Sequence, residues 1–193
     1  MSDPWTPRES WHIVDPYVTF VGSTAAEPST QLTTYTALRG ALRPMNETEV
    51  REFWNAHPCG DHIVGGLHGE FGNDYERFFA AYDAWRYDQE GHIPACLDRF
   101  DFRDKRVLEI GLGQGAESEQ LIRRGARWSG LDITPESVER VRARLELREL
   151  PHDKLRQGSA LDIPWSDDSF DVVFSHGVLH HICLLYTSDA ADE

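Results

Sequence analysis

The sequence predicts an α/β fold: a doubly wound parallel sheet covered on both faces by helices. Three observations predict it. Short apolar runs alternate with segments of helical period between residues 106 and 177. A glycine turn, GLGQG at 111–115, joins the first of these runs to the first of these helices. A carboxylate, Asp132, then closes the second run, about 21 residues beyond the first glycine.

The elements follow in chain order. Residues 1–44 mix Pro, Ser, Thr and Trp without a sustained period, which predicts a weakly structured N-terminal arm. The same stretch also reads as an upstream extension of the reading frame ahead of a true start at Met45. Residues 45–104 predict a helical segment that serves as lid or cap. It opens with MNETEVREFW, in which Asn46 caps a helix and Glu47 and Glu49 sit near its positive end. DYERFFAAYDAWRYD (74–88) then places Phe78, Phe79, Tyr82, Trp85 and Arg86 at helical spacing. That face suits a core first; as a second reading, Tyr82, Trp85 or Tyr87 could present an aromatic ring to a cation. IPACLDRF adds a short helix.

From there the period changes. RVLEI (106–110) is a compact strand, residues 116–124 suit a helix, and RWSGLD (127–132) is a second strand. Residues 135–148 form a helix with Val138, Val141 and Leu145 on one face, Thr134 as its cap and Pro135 in its first turn. KLRQG (154–158) is a weak third strand and FDVVFSHG (170–177) a strong fourth. Strands alternating with helices imply parallel pairing, and right-handed crossovers then give a Rossmann-like arrangement.

Composition narrows the function. The chain has 193 residues, 40% hydrophobic and 27% charged, enough for one cored domain with accessory segments. No run approaches the roughly 18 apolar residues of a membrane span. Three scattered cysteines argue against a disulfide framework and for a reducing cytoplasm. A formal charge of −14 opposes a broad nucleic-acid surface, which needs clustered Lys and Arg. A small-molecule partner is expected, with no nucleic acid and no membrane. HPCGDH (57–62) holds His57, Cys59 and His62 at faintly metal-like spacing, but without a second ligand pair no metal is expected.

Gly111, Gly113 and Gly115 allow a sharp turn and let a ligand lie against backbone N–H groups at a helix start. Asp132 stands where a carboxylate reaches ribose hydroxyls across the sheet. The pattern therefore predicts nucleotide binding, with two nucleotides in contention. G-L-G-Q-G-A also satisfies a relaxed dinucleotide fingerprint, with Ala116 in its last place, which would make an NAD(P)-dependent oxidoreductase. Glu109 opposes this: just before the loop, a carboxylate repels a pyrophosphate and favours a cationic amino-acid end.

QGSALDIPWSDDSFDVVFSHGVLHHI (157–182), with VLEIGLGQG and GLDITPESVERVRARL, closely resembles class I S-adenosylmethionine-dependent methyltransferases of the type 11, ubiquinone/menaquinone-biosynthesis-like group. The resemblance covers about residues 45–182 and is strongest from 106 onward. It implies a methyltransferase fold with S-adenosyl-L-methionine as cofactor and a small-molecule O, N or C acceptor. Glu109, Gly111, Gly113 and Gly115 would shape the pocket for the methionine part. Asp132 would accept from both ribose hydroxyls, Ile133 would pack beside the adenine, and Ser159 and Ala160 would meet its edge. Many relatives carry Asp or Asn where Ser159 stands, and a neutral hydroxyl should hold the adenine amine less firmly. His176 would face the cofactor or the substrate mouth, and His180 would point inward. Either could handle a proton or simply position backbone, so no catalytic residue is assigned.

The resemblance also implies an incomplete fold. The family sheet has strand order 3-2-1-4-5-7-6, of which this chain would hold strands 1–4 only, with the fourth strand left as an open edge. Residues 183–193, CLLYTSDAADE, resemble translated sequencing adapter and read as a non-native tail. On this reading the parent gene encodes an enzyme and the chain as written is marginally folded and inactive, or a non-catalytic nucleotide-binding fragment.

Overall fold

The computed structural model describes residues 46–179 and, within the N-terminal arm, the backbone of Ile13–Asp15 and Val18–Val21. Met45 with its proposed start, His180, and the adapter-like residues 183–193 lie outside the described residues.

Helix α1 (Glu47–Ala56) starts where the sequence places it. Asn46 Oδ1 accepts from the Glu49 amide at 3.0 Å and the Glu49 carboxylate accepts from the Asn46 amide at 2.9 Å, a reciprocal cap. Helix α2 (Asp61–Val64) and a π-helical turn (Gly66–Glu70) follow. Neither is visible in the hydrophobic pattern: Gly65 and Gly66, at φ +106° and +75°, break the helix and restart it with wider hydrogen bonding. Helix α3 (Tyr75–Gln89) is the aromatic helix and α4 (His92–Leu97) the short one after it.

The parallel unit comprises β3 (Arg106–Ile110), α5 (Ala116–Arg123), β4 (Arg127–Asp132), α6 (Pro135–Leu147), β5 (Lys154–Gln157) and β6 (Val172–His176). Thr134 caps α6 through the Ser137 amide, with Pro135 beside it in the first turn. Strands β5, β4, β3 and β6 pair in that order, all parallel. This is the 3-2-1-4 set that the sequence predicts. The sheet does not end there. Within the segment expected to be weakly structured, β1 (Ile13–Asp15) and β2 (Val18–Val21) form a hairpin, and β2 pairs antiparallel with β6 from Val18–His176 to Val21–Val173. The edge that the sequence leaves open is paired.

Alternation along the strands feeds both faces. Val107, Trp128 and Phe174 pack with Leu112, Leu121, Val141 and Leu145 under α5 and α6. Leu108, Ile110 and Leu131 pack on Ala160, Trp165, Phe170 and Val173 on the opposite side. Burying each such side chain stabilises by about 1.5–3 kcal/mol. A separate cluster of Leu67, Phe78 and Phe79 sits under the helical cap. Two buried arginines of α6 reach it. Arg144 pairs with Asp83 at 2.7 Å and Glu119 at 3.1 Å while stacking over the Phe79 ring at 4.4 Å, and Arg140 lies over Phe78 at 5.5 Å. Among the described residues no helix is long and apolar enough to cross a membrane.

Candidate functional site

A cavity of about 540 Å³ opens at the carboxyl ends of β3, β4 and β6, roofed by α1 and α3. This is where parallel α/β sheets place ligands, because strand order reverses between β3 and β6.

The glycine loop forms one wall. Gly111 has φ +79°, and a Cβ there would collide with Val178 of the segment after β6, so the turn needs a residue without a side chain. The loop amides are turned inward on the protein. Gly111 N donates to Leu131 O at 2.9 Å, Leu112 N to Asp132 Oδ2 at 2.7 Å, and Gly115 N to Leu112 O at 2.8 Å. Gly115 starts α5 and packs against Val141 and Arg144 rather than facing the cavity.

Asp132 is seated by the backbone. Besides Leu112 N, it accepts from Thr134 N at 2.8 Å and Thr134 Oγ1 at 2.9 Å, and it lines the cavity. Burial raises its pKa above the ordinary carboxylate value, against the opposing pull of these donors and of the Gly113 amide. Ile133, Gly158, Ser159 and Ala160 continue this wall. Ser159 Oγ donates to the Glu47 carboxylate of α1 and accepts from Leu161 N at 3.0 Å, so the helical cap is tied to the loop after β5.

Glu109 does not reach the cavity. It is fully buried behind the loop, where Trp128 Nε1 donates to it at 2.7 Å. Burial raises its pKa to about 8, with Glu117 and Asp132 adding to the rise and Ser118 and Trp128 opposing it. The structure therefore brings Gly111, Gly113, Asp132, Ile133, Ser159, Ala160 and His176 together around one space and leaves Glu109 and Gly115 as supports of the loop.

The far end of the cavity holds a charged cluster that no motif announces. Arg86 Nε donates to Glu117 Oε1 at 2.9 Å, Arg86 Nη1 pairs with Glu90 at 2.9 Å, and Arg86 Nη2 lies 2.8 Å from His176 Nδ1. Arg86 and His176 stand 90 positions apart, so only the meeting of α3 with β6 creates the contact. Burial, with Arg86 opposed by Glu117, holds the His176 pKa below the ordinary histidine value. Among the described residues, the wall carries the carboxylates Glu47, Glu90, Glu117 and Asp132 against the single guanidinium of Arg86. Tyr82 faces this end too, while Trp54 closes the roof from α1. Such a wall favours a ligand with positive charge.

Residues 108–193 match the family described as Methyltransferase domain. The chain is 35% identical over 147 residues to the ubiquinone biosynthesis O-methyltransferase of Cereibacter sphaeroides, spanning 70% of this chain and 51% of that protein. It is 28% identical to the demethylmenaquinone methyltransferase of Tropheryma whipplei, over 58% of this chain and 49% of that one. It is 36% identical over 77 residues to the fatty-acid O-methyltransferase of Mycolicibacterium smegmatis, over 39% and 27% respectively. The chain thus spans about half or less of these curated relatives. Among solved structures, YcgJ of Bacillus subtilis is 28% identical, covering 42% of this chain and 36% of that one with a TM-score of 0.39.

Proposed function

Because this chain belongs to the class I S-adenosylmethionine-dependent methyltransferases, of the type 11 group, we propose that its cavity holds S-adenosyl-L-methionine for methyl transfer to a small-molecule O, N or C acceptor. One observation carries the choice of nucleotide. The amides of Gly111, Leu112 and Gly115 are already consumed by Leu131, Asp132 and Leu112, and Glu117 stands in the first turn of α5 beside the cavity. A pyrophosphate needs those amides free and that carboxylate absent. A sulfonium cation needs neither and gains from the acidic wall.

In this reading Asp132 takes the ribose hydroxyls, Ile133 packs beside the adenine, and Ser159 with Ala160 meets the adenine edge. Gly111 and Gly113 lie along the methionine part, and His176 borders it. Bound there, the cofactor supplies an activated methyl group on a good leaving group. The protein's part is to align acceptor and methyl and to exclude water, which can lower the barrier by about 7–11 kcal/mol. Val50, Trp54 and Leu161 give the remaining space an apolar wall suited to a largely apolar acceptor. The names of the fatty-acid and quinone-pathway relatives support a small-molecule acceptor of that kind.

Isothermal titration with S-adenosylhomocysteine and with NAD tests the reading. Binding of the first without the second is expected. Binding of NAD alone would make the dinucleotide fingerprint the correct one, and no binding of either would defeat the nucleotide assignment.

A further inference from the structure

We propose that Arg86 fixes His176 as a hydrogen-bond donor to an oxygen atom of the cavity's occupant, and so bars this histidine from serving as the base that deprotonates a methyl acceptor. His176 ends β6, borders the cavity, and has a side chain only 8% exposed. Its Nδ1 lies 2.8 Å from Arg86 Nη2. A guanidinium has N–H groups and no lone pair to offer, so Nδ1 accepts. A neutral imidazole with a bare Nδ1 carries its hydrogen on Nε2. That Nε2 is buried and has no hydrogen-bond partner among the described residues. The Glu90 carboxylate stands 3.9 Å away, beyond hydrogen-bonding range.

The tautomer is held from outside the ring. Arg86 is clamped by Glu117 through Nε and by Glu90 through Nη1, each at 2.9 Å, so its third corner is aimed at Nδ1. Adding a second proton would set an N–H against the guanidinium. Glu117 and Glu90 would welcome that charge, while burial, Arg86 and His92 oppose it, and the opposition prevails. The neutral ring is therefore favoured, and with Nδ1 occupied by Arg86 it donates through Nε2. A buried N–H without a partner is rarely left so in a folded protein, and an oxygen lone pair is what it can take.

Two sources could supply that oxygen: the carboxylate at the methionine end of the cofactor, or a hydroxyl or carbonyl oxygen of the acceptor. The inference rests on the cofactor reading above only for these occupants. The tautomer itself stands on the contacts of Arg86 and His176. Arg86 is accordingly a positioning residue, acting through His176.

Long-range proton–nitrogen correlation spectra of the ¹⁵N-labelled full chain test this, with the His176 signals assigned from a His176→Gln variant. The expected result at neutral pH is an unprotonated Nδ1 and a protonated Nε2, with the second protonation falling at a lower pH than in free histidine. In Arg86→Met the ring is expected to become a tautomer mixture that titrates. A proton on Nδ1 in the wild type, or a balance that Arg86→Met leaves unmoved, overturns the proposal. Should Arg86→Met fail to fold, the wild-type spectrum alone decides. Two ligands separate the sources. A shift of the Nε2 signal with S-adenosylhomocysteine but not with 5′-methylthioadenosine, which lacks the carboxylate, assigns the oxygen to the cofactor. No shift when both bind assigns it to the acceptor. If neither binds, the cofactor reading fails while the wild-type tautomer still judges the proposal.

Discussion

At the scale of single residues, two carboxylates on neighbouring strands take opposite roles. Asp132 is oriented by amides, and its replacement exposes how much of the site it holds. Asp132→Asn keeps the size but trades charge-assisted bonds for neutral ones and is expected to weaken S-adenosylhomocysteine binding roughly ten- to a hundredfold by calorimetry. An unchanged affinity would remove Asp132 from the ribose. Glu109 is a proton store behind the loop. In the folded chain it keeps its proton up to about pH 8, whereas its ordinary pKa is 4.5. Across that window the unfolded state binds fewer protons, so this group's contribution to stability declines as pH rises from about 4.5 to 8 and is level beyond. Melting curves of the wild type and Glu109→Gln are expected to diverge as pH rises, with the variant several degrees higher at pH 8 than its pH 5 difference would give. Parallel curves would place Glu109 in water. The acid ahead of the glycine loop was legible in the sequence, but its burial against Trp128 was not, because that depends on which face of β3 the helix α5 covers.

At the scale of elements, charged and hydrogen-bonded contacts join the helical cap to the sheet domain. Arg144 of α6 is fully buried between Asp83 of α3 and Glu119 of α5. Burial and ion pairing oppose each other at Glu119, and Arg123, Arg144 and Arg148 win, holding its pKa below the ordinary value. Arg144→Ala takes from Asp83 its nearest partner and from Glu119 one of three guanidinium groups, and is expected to cost about 3–5 kcal/mol. That corresponds to a melting point lower by roughly ten degrees in thermal denaturation. A loss under about one degree would show the cluster to be solvated. The strands and the capped helices were legible element by element, since apolar blocks, Asn46 and Thr134 carry local signals. The π-helical turn was not, because its cause is two consecutive glycines in the left-handed region rather than a periodic pattern.

At the scale of the whole molecule, the N-terminal hairpin changes what the sheet is. β2 pairs along β6 over Val18–Val21, so the strand that would otherwise present unpaired amides is covered. A chain beginning at residue 46 is expected to aggregate at concentrations where the full chain stays dispersed, as read by light scattering with S-adenosylhomocysteine present to hold the cavity closed. Equal dispersion would show that the hairpin does not protect this edge. The hairpin's strands have three and four residues, too short to show a period, and their partner lies some 150 residues away, so nothing local marks them.

The sequence by itself determined the parallel core, its glycine turn and the carboxylate at the end of β4, because each arises from near-neighbour rules of burial, backbone freedom and capping. Tertiary structure alone decided which amides the loop keeps for itself, which acid faces the cavity, and how Arg86 meets His176. Those outcomes depend on groups far apart in the chain being desolvated together, and the free energy of such a meeting has no counterpart in any single stretch of residues.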